Sequence, residues 1–194
     1  MKLFAPTAVA AMLVATRMLG ASAPPGQAPS GQETIPRAPS TPNTPKNWVA
    51  PAKKIHAQVL IDELIATHPE LASATMHGRP PGANGEIFTM FAGSFPDRIG
   101  NESSPGDLIT IKKGVSQVES KWGTPDWQKK VSIVLPLKDS SGEYLQAAIV
   151  LAFKTSPGSG KVDTDYLQPG VAIRDALKSR IPSFESLFAS APQS

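Results

Sequence analysis

The chain has no cysteine. That removes disulfides, thiolate metal ligands, a cysteine nucleophile, covalent c-type haem attachment and a lipoprotein anchor. Aromatic residues make up only 6% of the 194 positions, and no apolar run beyond the N-terminal leader is long enough to cross a bilayer. The strongest internal run, Ala147 to Phe153, has the length of a strand. An excess of basic charge on the folded part is missing as well. The net charge of +3 arises before residue 53, where Lys2, Arg17, Arg37 and Lys46 face Glu33 alone. From Lys53 onward 15 basic and 15 acidic residues cancel. A nucleic-acid binder carries its excess on the domain, so no nucleic-acid partner is expected.

What is present begins with an export-like leader. Lys2 opens it, Leu3 to Val14 has the length of a signal h-region, and Ala21-Ser22-Ala23 has the small-x-small form of a cleavage site. Arg17 and Pro24 fit that pattern poorly, which leaves an uncleaved N-terminal anchor as the other reading. Residues 1–23 are therefore taken as a signal peptide, and a periplasmic or secreted location is expected. Pro24 to Pro51 holds eight prolines among Ser, Thr, Gln, Gly and Asn. Such a segment cannot bury enough apolar surface to offset its ordering entropy, so 24–52 reads as an extended linker. The folded domain is expected over 53–189, with a short tail at 190–194.

Within that domain the periodicities are readable. Ile55, Val59, Leu60, Leu64 and Ile65, with Ile61 beside them, form one helical stripe that Pro69 ends at His68. "LASATMHG" and "EIFTMFAGS" read as two short strands around a Pro/Gly-rich turn. Gly106 to Lys113 reads as a short helix with Leu108, Ile109 and Ile111 as its apolar side and Gly114 as its stop. "VSQVES" is a third strand. "VSIVLPLK" alternates with period two, Asp139 to Gly142 is a turn, and "EYLQAAIVLAF" is apolar on both faces towards its end, hence central. Pro136 implies pairing on one side only near that point. A last helix carries Val171, Ile173, Leu177 and Ile181, ends at Pro182, and is followed by a final turn at "SFESLF". The order predicts an α+β fold with an antiparallel sheet.

Several of these pieces in register resemble the extracytoplasmic PAS-like sensor domains known as PDC or single Cache domains. "HPEL" follows the first helix. "FAGSFPDRIGN" resembles the family's strand and Pro-x-x-Ile-Gly loop. "GDLITIKKG" resembles its Asp-Leu helix ending in glycine, and "VSIVLPLKDSSGEYLQAAIVLAF" its paired strands. The resemblance covers about Ile55 to Phe188. It implies a PAS-like five-stranded antiparallel sheet, a ligand pocket on one face, a long N-terminal helix behind it and a C-terminal helix. Family members sit between two transmembrane helices and feed an output module, whereas neither a second span nor an output domain is found here. A free-standing sensor for a small molecule is what the resemblance then implies.

Candidate ligand residues follow, each with its plain alternative. Ser94 and Arg98 lie in the strand-loop that frames the pocket in the resembled family. The Arg98 guanidinium suits a ligand carboxylate, or a surface ion pair with Asp97 or Glu102. Asp107 is either a helix N-terminal cap or a ligand contact. Trp122, with Trp127, lines a pocket or packs its own loop. Lys138 brackets the hairpin turn, and Tyr144 shares one face of the next strand with Gln146 and Ala148. The three histidines, His56, His68 and His77, show no metal spacing. No nucleophile–base–acid set and no phosphate loop is evident. No catalysis, cofactor or metal is therefore expected. The expected partners are a small-molecule ligand, a membrane signalling protein, and a second copy met through the N-terminal helix. An exported interaction or scaffold protein on a degenerate PAS-like fold is the alternative.

Overall fold

The computed structural model describes residues 46–83, 85–120, 130–156 and 158–191. Helix α1 (His56–Thr67) leads into β1 (Leu71–Gly78) and β2 (Thr89–Gly93), then α2 (Pro105–Lys113), β3 (Gln117–Ser120), β4 (Lys130–Lys138), β5 (Tyr144–Lys154) and α3 (Leu167–Lys178). Among the described residues, 3-10 turns at Pro96–Arg98, Asp163–Tyr166 and Glu185–Phe188 lie in the connections. The strands form one sheet in the order β2-β1-β5-β4-β3. Every pairing is antiparallel. This is the PAS-like α+β arrangement that the sequence predicts, with β5 at its centre.

The two faces of the sheet differ. One carries the main core, where Ala74 and Met76 of β1, Val131, Ile133, Leu135 and Leu137 of β4, and Ala147, Ile149, Leu151 and Phe153 of β5 meet α1 and α3. On the other face α2 sets Ile111 against Val134, Ala148 and Val150, with Phe88 and Leu108 at the margin. Both faces of β4 and β5 are thus covered, which explains their apolar runs.

The expected apolar stripes turn out slightly rotated. In α1 the buried residues are Ala57, Leu60, Ile61 and Leu64, while Val59 and Ile65 stay half-buried. In α2 the buried side is Gly106, Asp107, Thr110 and Ile111, so its inner face is partly polar and Leu108 and Ile109 sit at its flanks. In α3, Gly170, Ile173, Arg174 and Leu177 are buried. Pro136 behaves as its chemistry requires. The β3 ladder ends at Gln117 opposite Val134, so Pro136 faces Ala148 of β5 alone. The buried Arg174 then donates from Nη1 to the Pro136 carbonyl at 2.9 Å and from Nε to Asp175 at 2.7 Å.

The packed region starts before Lys53. Trp48 is only 7% exposed, donates its indole N–H to the Pro81 carbonyl at 3.1 Å, and meets Phe188 edge-on at 6.2 Å. Asn47 N–H donates to the Gly100 carbonyl at 2.9 Å. Gly100 has φ +91°, and the Trp48 carbonyl stands where its Cβ would be. Residues 46–52, expected in the linker, are a strap across the domain. At the other end Ser190 pairs with Ile55, and Ala191 N–H donates to the Lys54 carbonyl at 2.9 Å. The strap and the C-terminal segment meet at the start of α1. Among the described residues no helix is long and apolar enough to cross a membrane.

Candidate functional site

The α2-facing side of the sheet carries the unusual chemistry. Residues directly opposite one another in an antiparallel sheet point to the same side. One rung therefore aligns Glu119, Ser132, Ala152 and Ser73 across β3, β4, β5 and β1. The next aligns Gln117, Val134, Val150, Thr75 and Gly93. Further along, His77 stands opposite Ala148. A face in the middle of a sheet is normally apolar. Here Thr75, His77 and Ser132 are all buried in it.

His77 is the fastening of this face. The register of β1 against β2 shifts between Met76 and His77, a bulge of the kind that re-aims a side chain. Nε2 lies 2.8 Å from Thr75 Oγ1, and Nδ1 lies 3.1 Å from Ser103 Oγ and 3.5 Å from Asp107 Oδ2. The carboxylate beside Nδ1 favours the tautomer protonated there, which leaves Nε2 to accept from the Thr75 hydroxyl. Hydroxyl, imidazole and carboxylate thus stand in a line, but the line does not make a nucleophile. Asp107 Oδ2 already accepts from Ser104 N–H at 2.9 Å and Ser104 O–H at 2.7 Å, and 3.5 Å is long for a hydrogen bond. The set ties β1 to the first turn of α2.

Asp107 accordingly does what an N-terminal cap does. Ser104 is the N-cap, its Oγ accepts from Asp107 N–H at 3.3 Å, and the carboxylate returns the bond in a reciprocal capping box. At the other end of α2, Gly114 closes the helix in the left-handed conformation at φ 66°. Tyr144 reaches across from β5 and donates to the Thr110 carbonyl at 2.9 Å and to the Ile111 carbonyl. Burial pushes its phenol up from 10.0 to about 12. Gln117 Nε2 adds bonds to the Gly106 carbonyl at 2.8 Å and to Thr110 Oγ1 at 2.7 Å. Helix α2 is therefore held by side chains from β1, β3 and β5.

Ser132 is different. It is 1% exposed, and among the described residues its Oγ has no hydrogen-bond partner. A buried hydroxyl left this way costs about 1–3 kcal/mol. Its partners across the sheet are Ala152 of β5 and Glu119 of β3, with Ser73 of β1 beyond Ala152.

The residues expected to bind ligand are not gathered at one point. Ser94 closes the β1–β2 edge, its Oγ accepting from Ala74 N–H at 2.9 Å and donating to the Ala74 carbonyl at 3.0 Å. Arg98 stacks over the Phe95 ring at 4.8 Å and has no carboxylate partner among the described residues. Lys138 pairs with Tyr144 at the hairpin end. Ala74 stands opposite Leu151, seven residues from Tyr144 along β5, so Ser94 and Tyr144 are about 20 Å apart along the sheet. Trp122, like Trp127, lies outside the described residues. Among the described members of the expected set, Asp107 and Tyr144 share contact with α2.

The sequence reading did not single out Thr75, Ser132 and Gln117, and it weighed His77 only as a metal ligand and Ser103 only as a sharer of the α2 cap. A signal existed. Thr75 and His77 share one face of "ATMHG", and Ser132 interrupts the apolar "VSIV" at a position that a covered sheet buries. The histidines remain apart as expected: His56 bonds the Arg180 carbonyl at 2.9 Å, and His68 pairs with Glu70 at 2.9 Å. Among the described residues no group of three or more His, Asp or Glu is placed to hold a metal ion.

No family model matches the chain, and no curated protein matches it. Solved structures of related backbone shape include the Agobacterium tumefaciens repressor BlcR, 12% identical, covering 66% of this chain and 67% of that one at a TM-score of 0.45. The C-terminal domain of the E. coli transcriptional regulator KdgR is 12% identical, covering 68% of this chain and 96% of that one at a TM-score of 0.42. The blue-light-absorbing form of the Thermosynechococcus elongatus PixJ GAF domain is 10% identical, covering 62% of this chain and 86% of that one at a TM-score of 0.32. Likeness at this level concerns backbone shape and says nothing of a ligand.

Proposed function

We propose that this is an exported sensor domain that binds a small molecule on the α2-facing side of its sheet and performs no chemistry on it. One observation carries the reading. A fully buried hydroxyl, Ser132 Oγ, stands without a partner among the described residues, between Ala152 and Glu119, on the face that Thr75, His77 and Ser103 fasten to α2. Buried polar groups are normally satisfied, and a ligand atom bonded to Ser132 Oγ would supply the partner it lacks. Export is supported by the leader from Lys2 to Ala23. The absence of catalysis is supported by the use of His77 and Asp107 to fasten α2.

Signalling requires that ligand favour one of two states. Strand β1 offers the link. Thr75 and His77 face α2, while Ala74 and Met76 on the same strand face α1. A ligand that moves the first side alters the packing of α1 on the second, and α1 is the surface offered to a membrane signalling partner or a second copy.

The test is a thermal-shift screen of the full chain against organic acids, amino acids, amines and heterocyclic bases. A ligand present at about a hundred times its dissociation constant adds roughly 2.7 kcal/mol to the folded state. A shift that Ser132→Ala weakens supports the reading. A cooperative melt that no compound moves overturns it and leaves the interaction-protein alternative, for which a partner pull-down is the next measurement.

A further inference from the structure

We infer that the strap at residues 46–52 is a releasable latch that sets how firmly α2 is anchored. The strap is fixed to the domain at its first three residues. Lys46 donates from Nζ to the Asp97 carbonyl, and Asn47 N–H donates to the Gly100 carbonyl at 2.9 Å. Trp48 is buried beside Phe188 and donates to the Pro81 carbonyl at 3.1 Å. Beyond them residues 49–54 are all exposed. The hold is also imperfect. Among the described residues Asn47 Oδ1 and Nδ2 are buried without a hydrogen-bond partner. Buried polar groups are normally satisfied, and this amide regains water when the strap lifts, which eases release.

The segment that receives the strap leads straight to α2. Gly100 N–H donates to the Met90 carbonyl at 2.8 Å, Met90 N–H to the Asn101 carbonyl at 3.0 Å, and Ser103 N–H to the Phe88 carbonyl at 2.9 Å. Glu102 stands opposite Thr89. Residues 100–103 are thus laid along the outer edge of β2, with the strap on Gly100 at one end. At the other end Ser103 Oγ lies 3.1 Å from His77 Nδ1, and Ser104 caps α2 in its box with Asp107. A short segment bonded along its length passes a shift from one end to the other, where a free loop would absorb it. A partner that seizes the strap therefore loosens the seat of α2. By reciprocity, whatever tightens α2 holds the strap. This coupling needs no ligand, so it stands or falls apart from the sensor reading.

The experiment is native-state hydrogen exchange on the full chain, which separates local opening of α2 from global unfolding. Asn47→Pro removes the donor to Gly100, and Trp48→Ala unseats the strap from its other anchor. Each is expected to speed exchange of the α2 amides roughly five- to tenfold, the worth of one hydrogen bond. The Gly100 and Ser103 amides should speed in step. Should Trp48→Ala fail to fold, Trp48→Phe replaces it, keeping a ring and losing the indole donor. Ile173→Ala is the control. It truncates the core where α3 packs on β4, so it should speed the β5 amides, which open with the whole domain, and leave α2 at its original rate. If α2 exchange is unchanged in folded strap variants, or if Ile173→Ala speeds it as much, the inference is wrong. It is also wrong if α2 speeds while the Gly100 and Ser103 amides do not, because the coupling then bypasses the segment.

Discussion

At the scale of single residues, Ser132 and Gln146 both depart from what packing alone would choose. Ser132 sacrifices stability in the free domain. Replacing it with alanine removes an unsatisfied buried hydroxyl without creating a cavity larger than one oxygen, so the ligand-free protein should gain about 1 kcal/mol in urea unfolding. A gain in stability together with a loss of binding is the pattern of a functional residue. A loss of stability would mean that the hydroxyl is satisfied in solution. Gln146 sits at φ 49°, exposed, where the register of β4 against β5 shifts between Pro136 and Lys138. A side chain in the left-handed region costs roughly 1 kcal/mol that glycine avoids. Gln146→Gly should raise the unfolding free energy by about that amount. No gain would show that the bulge relaxes in solution.

At the scale of elements, α2 is a short helix held by its ends, and Tyr144 holds the C-terminal one. Its hydroxyl donates to the carbonyls of Thr110 and Ile111, and a phenolate would face those oxygens with a negative charge. The folded pKa is raised, so the stabilisation is complete below the unfolded value of 10.0 and is lost as pH rises towards about 12. In a Tyr166→Phe background, where Tyr144 is the remaining tyrosine of two, tyrosinate absorbance should rise near the upper value and α2 amides should lose exchange protection in step. A rise centred on the ordinary value would show that the phenol is not held. The elements themselves were legible in the sequence because their signals are local. Period two in "VSIVLPLK", Pro69 after α1 and Gly114 after α2 each act within a few residues. The polar side of α2 was not legible. "PGDLITIKK" offers Leu108, Ile109 and Ile111 as the apolar choice, and only the arrival of His77, Gln117 and Tyr144 from three strands makes Asp107 and Thr110 the inner face. The polar residues of the α2-facing side were hidden in the same way. Arg98 and Lys138 are conspicuous in a sequence because they are charged, whereas Thr75, Ser103 and Ser132 gain meaning only when strands distant in sequence set them side by side.

At the scale of the whole molecule, packing extends before Lys53 for a related reason. Composition marks Pro24 to Pro51 as unable to form a core of its own, and that says nothing of whether its last residues join a core formed elsewhere. Trp48 does so. It sits beside Phe188, whose ring meets Phe91 at a tilt at 5.0 Å and Phe184 edge-on at 5.1 Å, so the N-terminal strap closes an aromatic cluster built from β2 and the C-terminal turn. The strap is pinned by Asn47 and Trp48 against Gly100 and Pro81, on connections that follow β2 and β1. Removing the indole takes away the largest side chain of the strap and its hydrogen bond together, so Trp48→Ala should cost about 3–5 kcal/mol. Deleting residues 1–52 should cost at least as much, while deleting 1–45 should leave the urea midpoint nearly unchanged. Gly100→Ala should reproduce part of the loss, roughly 2 kcal/mol, because an L side chain is strained at its φ and would meet the Trp48 carbonyl. Faster exchange at the Asn47 amide should accompany it. Equal stability of the 46–194 and 53–194 chains would show that the strap rests on the domain without contributing to it.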